Sequence, residues 1–464
     1  MQKLKTHRAD PDFKHIVEKN RNGVTLKYCY QCGTCTAACP ISKFIDIYQP
    51  NKIIELAKLG IRSLPQSNAF LFCSACTLCT KGCPQGVKVH ELMQALKEVA
   101  PDYENFEETL ETLGHSMPFP VTYTWVCIRP TEDEILRTFE RELARPVQKV
   151  ELSSDDRVAV IGSGPAGLTA AWTLAKAGIS VTVFESLSEL GGMLKVGIPN
   201  YRLPNEIVDA EIGKIEALGV EMRTNVNVDK EMFEDIVKNF SAVFIATGAF
   251  ASRKLRVDGE NLQGVVSAIE FLKDYNLTGS ANIGKNVVVI GGGNVAMDAA
   301  GAAIHCGAES VKLFCLEDRA TMPAHEWEIQ EIADEGVQIN PSWGIKAING
   351  DREKVTGVEF QGCKSVFDAN KKFNPTFDEK KTQTIEADTV ITAIGQAPDL
   401  SFYDGAVRGV VKVDPYTMET SLPNVFAGGD AVAGTASLVE AITTGKTAAN
   451  SIIRYLRGES NETI

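Results

Sequence analysis

Residues 157–185 constrain this chain more than any other stretch. Val158–Ile161 is a β-branched run of the kind that forms a buried parallel strand. Gly162, Gly164 and Gly167 follow at once in the pattern G-x-G-x-x-G, with Pro165 and Ala166 between them. Leu168–Ala177 reads as a helix stopped by Gly178, Val181–Phe184 as a second strand, and Glu185 stands 18 residues after Gly167. Strand, glycines, helix, strand and terminal acid in this order make a βαβ dinucleotide fingerprint. Gly162 serves the tight turn, Gly164 the approach of a pyrophosphate, Gly167 the helix–strand contact, and Glu185 accepts from a ribose.

The fingerprint recurs at Val287–Ile290, followed by Gly291, Gly292, Gly293, Asn294, Val295 and Ala296. Gly291, Gly293 and Ala296 fill the three slots, alanine being the permitted third variant. The next strand, Val311–Cys315, leads to Glu317, 21 residues after Ala296. One such fold inserted in another resembles the two-dinucleotide flavoproteins, which implies FAD on the first and a nicotinamide nucleotide on the second.

Eight of the twelve cysteines fall in two runs: Cys29, Cys32, Cys35, Cys39 before Pro40, and Cys73, Cys76, Cys79, Cys83 before Pro84. Each member of the second run lies 44 residues after its counterpart, so the pattern C-x2-C-x2-C-x3-C-P is an internal repeat. Three closely spaced thiolates wrap one cubane, and the fourth, held beside proline, ligates the other. Cys29, Cys32, Cys35 and Cys83 are expected to hold one 4Fe–4S cluster, and Cys73, Cys76, Cys79 and Cys39 the second. Structural zinc uses two cysteines of each C-x2-C and has no role for the third or for the C-P. Helical signals at 11–20, Pro50–Gly60 and Val89–Ala100, with no strand signal, point to a helical ferredoxin module. The two runs and the helix between them resemble the two-cluster relay subunit of heterodisulfide reductases. That resemblance implies an electron relay to a separate catalytic chain.

Residues 101–155 are acidic and interrupted by Pro118, Pro120, Pro130 and Pro146; they read as a linker wrapping the next domain, with a helix at Glu132–Leu143 and Cys127 as a buried structural thiol. Beyond Glu185, Gly191-Gly192-Met193-Leu194 suggests backbone passing a flat ligand. Val243–Gly248 is a buried strand ending in a small-residue turn, and Asn424–Asp430 is a strand, a glycine pair and an acid. The helix from Ser437 aims its N-terminus at the same ligand. Arg202, Val226, Thr247, Gly248, Gly395, Gly429, Asp430 and Ser437 complete the candidate cofactor contacts. No residue is assigned a catalytic role, and the six scattered histidines form no metal spacing or triad.

Residues 156–464 resemble the small (β) subunit of glutamate synthase and the large subunit of NADH-dependent ferredoxin:NADP oxidoreductase. The matching motifs are Gly191–Leu194, Ile198-Pro199 with Tyr201–Pro204, Met322–Ala324, Ala393–Gln396 and Ala427–Asp430. The resemblance implies FAD, a nicotinamide nucleotide and hydride exchange between them. Two departures matter. Where that family shows Tyr-Arg-Arg, this chain has Cys315-Leu316-Glu317; a carboxylate accepts from a free 2′-hydroxyl and repels a 2′-phosphate, so NAD(H) is favoured over NADP(H), with Arg319 the nearby residue able to counter it. No C-x2-C or C-x4-C stands beside the flavin motifs: Cys306, Cys315 and Cys363 are solitary, with Cys306 and Cys315 read as core. The cubanes are the evident exit for electrons.

The expected fold is α/β: a helical two-cluster ferredoxin domain (1–105), a connector (106–155), and a flavin domain in two parts (156–282, 389–464) around a nested Rossmann-like NAD(P) domain (283–388). The net charge of −13 disfavours nucleic acid and anionic membranes as partners. No apolar run reaches the ~18 residues of a membrane span, and the first residues lack the apolar core of a signal peptide, so a cytoplasmic location is expected. The expected partners are other redox subunits (a reductase, hydrogenase, dehydrogenase or synthase catalytic subunit) or a ferredoxin. Three readings follow: an NADH-linked electron-transfer subunit, a glutamate synthase small subunit using NADPH, and a subunit of a flavin-based bifurcating complex.

Overall fold

The computed structural model describes residues 9–20, 22–43, 45, 48–61, 69–99, 106–128 and 133–459. Among those up to Val99 the regular structure is wholly helical: α1 (Phe13–Lys19), α2 (Thr34–Ala37), α3 (Pro50–Lys58), α4 (Leu78–Lys81) and α5 (Val89–Val99), with three short 3-10 turns. Pro50 starts α3 at a position where its missing N–H has no helical partner to lose. Phe13, Val17, Leu26, Ile53, Phe70, Phe72, Leu92 and Met93 form the module's core. The 44-residue repeat is conformational as well as chemical. Gln31 and Ala75 share a left-handed backbone (φ 65° and 55°), as do Gly33 and Thr77 (φ 79° and 66°), and each pair runs into a four-residue helix.

The stretch expected to be mainly linker is instead structured. It forms α6 (Phe106–Ser116), α7 (Pro120–Ile128) and α8 (Asp133–Leu143), with Phe119, Val121, Thr122, Tyr123 and Thr124 buried. Pro120, read as an interruption, is instead the first residue of α7. Its N-terminal amides donate to a fully buried carboxylate: Val121 and Thr122 N–H reach Glu211 at 2.7 and 3.0 Å. Tyr123 Oη donates to the Phe72 carbonyl and Trp125 Nε1 to the Arg202 carbonyl, so α7 is a wedge between the cluster module and the next domain. The Cys127 side chain lies outside the described residues.

Two parallel sheets follow. The first has the order β13-β4-β1-β2-β3, from β1 (Arg157–Ile161), β2 (Ser180–Phe184), β3 (Glu221–Arg223), β4 (Ala242–Ile245) and β13 (Val425–Ala427). The second has the order β5-β12-β6-β7-β8, from β5 (Val265–Ser267), β6 (Asn286–Ile290), β7 (Ser310–Phe314), β8 (Gln338–Asn340) and β12 (Thr389–Thr392). Strands β5 and β12 belong to this second sheet, so the nested fold extends beyond 283–388 on both sides. Three antiparallel strands, β9 (Trp343–Asp351), β10 (Lys354–Phe367) and β11 (Phe373–Glu386), are appended to it. Helix α9 (Pro165–Lys176) follows β1, α10 (Asn205–Ala217) precedes β3, and α11 (Asn294–His305) follows β6. Helix α12 (Glu326–Asp334) precedes β8, and α13 (Leu438–Leu456) follows β13.

Helix α13 unites the halves. Gly445 packs backbone to backbone on α9: a Cβ there would sit 2.3 Å from the Ala166 carbonyl oxygen. The same helix sends Val439 and Ile442, both fully buried, into the core of the cluster module. Each such side chain contributes about 1.5–3 kcal/mol of burial.

Candidate functional site

The first dinucleotide loop closes on itself. Gly162 has φ 105°, and a Cβ there would meet the Ala246 carbonyl oxygen at 2.3 Å; one on Gly167 would meet the Gly162 carbonyl oxygen at 2.0 Å. Gly164, the N-cap of α9 with Pro165 as first helical residue, faces open space, as does Gly248 at φ 69°. Gly192 lies against the Gly164 Cα (2.8 Å from a Gly192 Cβ) and precedes the short helix Met193–Val196, which holds Met193 and Leu194. Gly429 (φ 63°) lies against Ala166 from the other side, its N–H donating to Thr444 Oγ1 at 2.9 Å. The buried Thr247 Oγ1 has no protein partner. An open face over a helix N-terminus, rimmed by three glycine turns and one orphaned hydroxyl, fits the pyrophosphate of a dinucleotide.

The acid at the end of β2 is more occupied than its spacing implies. Glu185 is buried and accepts from Ser163 N–H (2.9 Å), Ser163 Oγ (2.6 Å) and Leu187 N–H (2.9 Å). Ser163 also accepts from Gly191 N–H (3.2 Å), tying the two glycine loops together. This serine went unremarked in the sequence because it fills a variable slot of the motif. Val226 donates its N–H to the Glu185 carbonyl at 2.8 Å and so lines the same edge. Burial pushes the Asp430 carboxyl up to about 6, with Glu440 adding to the rise against a bond from Ala436 N–H (3.2 Å). Ser437 forms a full capping box with Glu440 at the start of α13.

The second loop repeats the first. A Gly291 Cβ would meet the Ala393 carbonyl oxygen at 2.3 Å, the counterpart of Gly162 on Ala246, and Gly293 faces open space at the N-cap of α11. Gly395 (φ 97°) stands where Gly248 stands in the first fold. Ala296 is fully buried under the loop and Val295 half-buried. Asn294 turns its side chain away, accepting from His325 N–H at 3.2 Å. The Glu317 carboxylate overhangs the loop, 3.1 Å from a Gly292 Cβ position. Arg319 is held by Glu326 through two bonds of 2.9 and 2.8 Å. Cys315 is buried as expected, its thiol pushed up to about 12 by burial and then by Glu317.

Arg202 departs from its expected place among the cofactor contacts. Its guanidinium reaches across to the second fold, pairing with Asp298 on α11 and Glu328 on α12, and stacks over Trp327 at 5.3 Å. Tyr201 beside it packs edge-on to His305 of α11, 4.4 Å between centroids. The Tyr201-Arg202 motif is thus a clasp between the two dinucleotide folds. Long-range ion pairing, invisible to local pattern, decides its role.

The cysteines of the two runs fall into two groups in space. Cys29, Cys32, Cys35 and Cys83 line one cavity, with Ile54, Val87 and Val89. Cys79 is pushed up to about 12 by burial and then by Cys73, Cys39 and Cys76, which places these four together. Among the described residues no three Cys, His, Asp or Glu groups converge tightly enough to share a single ion. Thiols spread round a cavity suit a cluster of several metal atoms rather than one metal at about 2.3 Å from each sulfur. Left-handed residues alternate at 31/33 and at 75/77, so the two thiol loops share one backbone course, with Gln31, Ala75 and Thr77 carrying its strain. Two lysines missed in the sequence anchor the first cysteine of each run: Lys58 Nζ to the Cys29 carbonyl (2.7 Å) and Lys97 Nζ to the Cys73 carbonyl (2.9 Å). Cys39, Cys73 and Cys79 are buried and Cys76 half-buried, whereas in the other set Cys35 is buried, Cys29 and Cys83 half-buried and Cys32 exposed.

The second set of thiols faces the first dinucleotide fold. Glu440 lies within electrostatic reach of both Cys76 and Asp430. Thr443, one turn along α13, donates to the Val439 carbonyl at 2.7 Å and lies 3.4 Å from the Pro40 carbonyl oxygen. Two nested dinucleotide folds coupled to a helical cluster module define an FAD/NAD(P)-type oxidoreductase with a 4Fe–4S module. Residues 156–448 match the pyridine nucleotide-disulphide oxidoreductase family and residues 25–87 a 4Fe–4S dicluster domain; the chain belongs to that oxidoreductase family. Among the described residues outside the two cysteine runs, Cys306, Cys315 and Cys363 are not disulfide-bonded.

The chain is 36% identical over 440 residues to the NADP(+)-dependent formate dehydrogenase subunit beta of Moorella thermoacetica, covering 83% of this chain and 61% of that subunit. It therefore spans less than two thirds of that relative's length. It is 37% identical over 322 residues to a putative glutamate synthase [NADPH] small chain of Cereibacter sphaeroides (65% of this chain, 77% of that one). It is 28% identical over 437 residues to the NAD-dependent dihydropyrimidine dehydrogenase subunit PreT of Escherichia coli K12 (88% and 98%). In fold it is similar to Mycobacterium tuberculosis FprA in complex with NADPH, with TM-score 0.58 and 18% identity over 66% of this chain and 85% of that one. Among the described residues no helix is long and apolar enough to cross a membrane.

Proposed function

We propose that this chain is the pyridine-nucleotide-handling subunit of a larger redox complex, exchanging hydride with NAD(H) and single electrons with a partner subunit. FAD, when bound, supplies the conversion between a two-electron hydride and one-electron transfers to iron–sulfur clusters. The observation that carries the reading is the seat of α13. Glu440 and Thr443 stand between the Asp430 turn of the first dinucleotide fold and the Cys76 and Pro40 loops of the buried thiol set. On this reading Gly162, Gly164, Pro165, Gly192, Thr247, Gly248 and Gly429 hold the flavin nucleotide. The Cys39/Cys73/Cys76/Cys79 set is the inner relay, and the Cys29/Cys32/Cys35/Cys83 set the outer.

Gly291–Ala296 hold the nicotinamide nucleotide, with Glu317 as the selector for a free 2′-hydroxyl. The relatives' names divide between NADP(+) or NADPH and NAD; the overhanging Glu317 and the capture of Arg319 by Glu326 support NAD(H) here. The formate dehydrogenase and dihydropyrimidine dehydrogenase subunits match more than four fifths of the chain, whereas the glutamate synthase match leaves out about a third of it, which favours a dehydrogenase-type partner over a glutamate-forming one. Anaerobic rapid mixing of the reconstituted protein with NADH and, separately, NADPH tests the reading. Fast flavin bleaching by NADH followed by cluster bleaching is the expected result. Preference for NADPH overturns the role of Glu317. Flavin bleaching that never reaches the clusters overturns the relay and points to bifurcation with a further subunit.

A further inference from the structure

The outer thiol set opens on a face whose composition differs from the rest of the chain. Residues 22–43 and 69–90, which carry all eight cluster cysteines, contain four lysines (Lys27, Lys43, Lys81, Lys88) and no aspartate or glutamate, in a chain of net charge −13. The exposed part of this surface is aromatic and apolar as well as cationic. Val24 is 52% exposed, Tyr28 53% and Tyr30 58%. The pieces are contiguous. Tyr30 and Cys32 line the cavity shared with Cys83 and Gln85, and Lys88 N–H donates to Thr25 Oγ1 at 3.1 Å, joining the 24–28 loop to the end of the second run. Lys27 lies 5.2 Å from the Tyr28 ring centroid, and Lys88 is paired with Glu91 at 2.9 Å. The inner set, by contrast, is covered by α13 and the connector.

We infer that this face, Val24-Lys27-Tyr28-Tyr30 with Gln85 and Lys88 around the exposed Cys32, is the docking surface for an acidic ferredoxin. The inference rests on the outer-relay reading given above and names the partner's chemistry. Exposed tyrosines are the residues that anchor protein interfaces, and a rim on which Lys27 and Lys81 are joined by Lys88, itself paired with Glu91, favours an acidic partner over a basic one. The position of Cys32 brings such a partner's own centre next to the outer relay.

Binding is measured directly, without any redox turnover. An acidic two-cluster bacterial ferredoxin is titrated into the reconstituted protein at low and at high ionic strength, and a carbodiimide, which joins lysine amines to carboxylates, maps the contact on the unaltered protein. The expected result is salt-sensitive binding, cross-links on Lys27, Lys81 or Lys88, and affinity lowered about tenfold or more by Lys27→Glu with Lys88→Glu at low ionic strength. Tyr28→Ala is expected to weaken binding at both ionic strengths. Unchanged affinity in the charge-reversal variant, cross-links elsewhere, or no binding by the parent protein each overturns the assignment. Failure of NADH to reduce the clusters would instead overturn the proposed function and leave this binding result standing.

Discussion

Arg202→Met removes the cation that pairs with two carboxylates, whose side-chain exposures are 10% for Asp298 and 3% for Glu328. Breaking a buried pair by deleting one partner costs about 3–5 kcal/mol, because a charge is left uncompensated in low dielectric. At roughly 2–4 °C per kcal/mol for a body of this size, the melting temperature falls by about 10 °C. The sign of its pH dependence follows from the geometry. Facing each other without the guanidinium, the two carboxyls have folded-state pKa values raised above their unfolded values. Their penalty is therefore complete at alkaline pH and relieved as acid protonates them. The deficit is measured by thermal unfolding, followed through flavin fluorescence, at pH 8 and pH 5.5. A second readout separates a clasp from a mere stabiliser. Arg202 bridges the two folds that must present nicotinamide to flavin, and a displacement of about 1 Å costs on the order of a hundredfold in rate. Flavin bleaching by saturating nicotinamide nucleotide is expected to slow by that factor while nucleotide affinity stays within a few-fold. A melting temperature within 2 °C of the parent, or a deficit equal at the two pH values, would refute the reasoning.

Cys83→Ser is expected to remove the cluster of the first cysteine run and Cys39→Ser that of the second, each variant losing about half its iron, as read by iron analysis and electron paramagnetic resonance. Glu317→Gln is expected to lower kcat/KM for NADH about ten- to a hundredfold, the worth of a charged hydrogen bond of about 1.5–3 kcal/mol, and to leave NADPH unaffected or improved. Gly445→Val forces a side chain onto the Ala166 backbone and is expected to reduce retained flavin, measured as visible absorbance per chain, with a stability loss of about 1–3 kcal/mol. Glu211 is held up to about 7 by burial, against the bonds from Thr122 and Val121. Its folded pKa lies above its unfolded value, so its stabilising contribution is complete below about pH 4.5 and lost as pH rises through 7. Glu211→Gln is expected to flatten that window and to gain on the parent at pH 8 relative to pH 5 by up to about 3 kcal/mol.

The features legible in the sequence are those whose geometry is set over a few residues. Three thiols spaced by two residues wrap a cubane wherever the segment sits, and Gly162 and Gly291 are demanded by a turn that brings each within contact of the carbonyl after the neighbouring strand. The eight cysteines, both glycine loops and the alternation of β-branched strands with helices were therefore readable, and with them the nested α/β architecture behind a helical module. Long-range approach decided the rest. Arg202 meets partners 96 and 126 residues away, so its local Tyr-Arg-Leu-Pro context describes a loop and says nothing of a clasp. Glu211 caps a helix 90 residues earlier, which turns a proline-broken linker into a wedge. Thr443 reaches a carbonyl 403 residues back, making α13 the wall between flavin fold and clusters. Spacing rules determine which cofactors a chain can ligate. Which thiol set faces inward, which lines the exposed face and which charge locks one fold to the other depend on burial and ion pairing that exist only once distant segments meet.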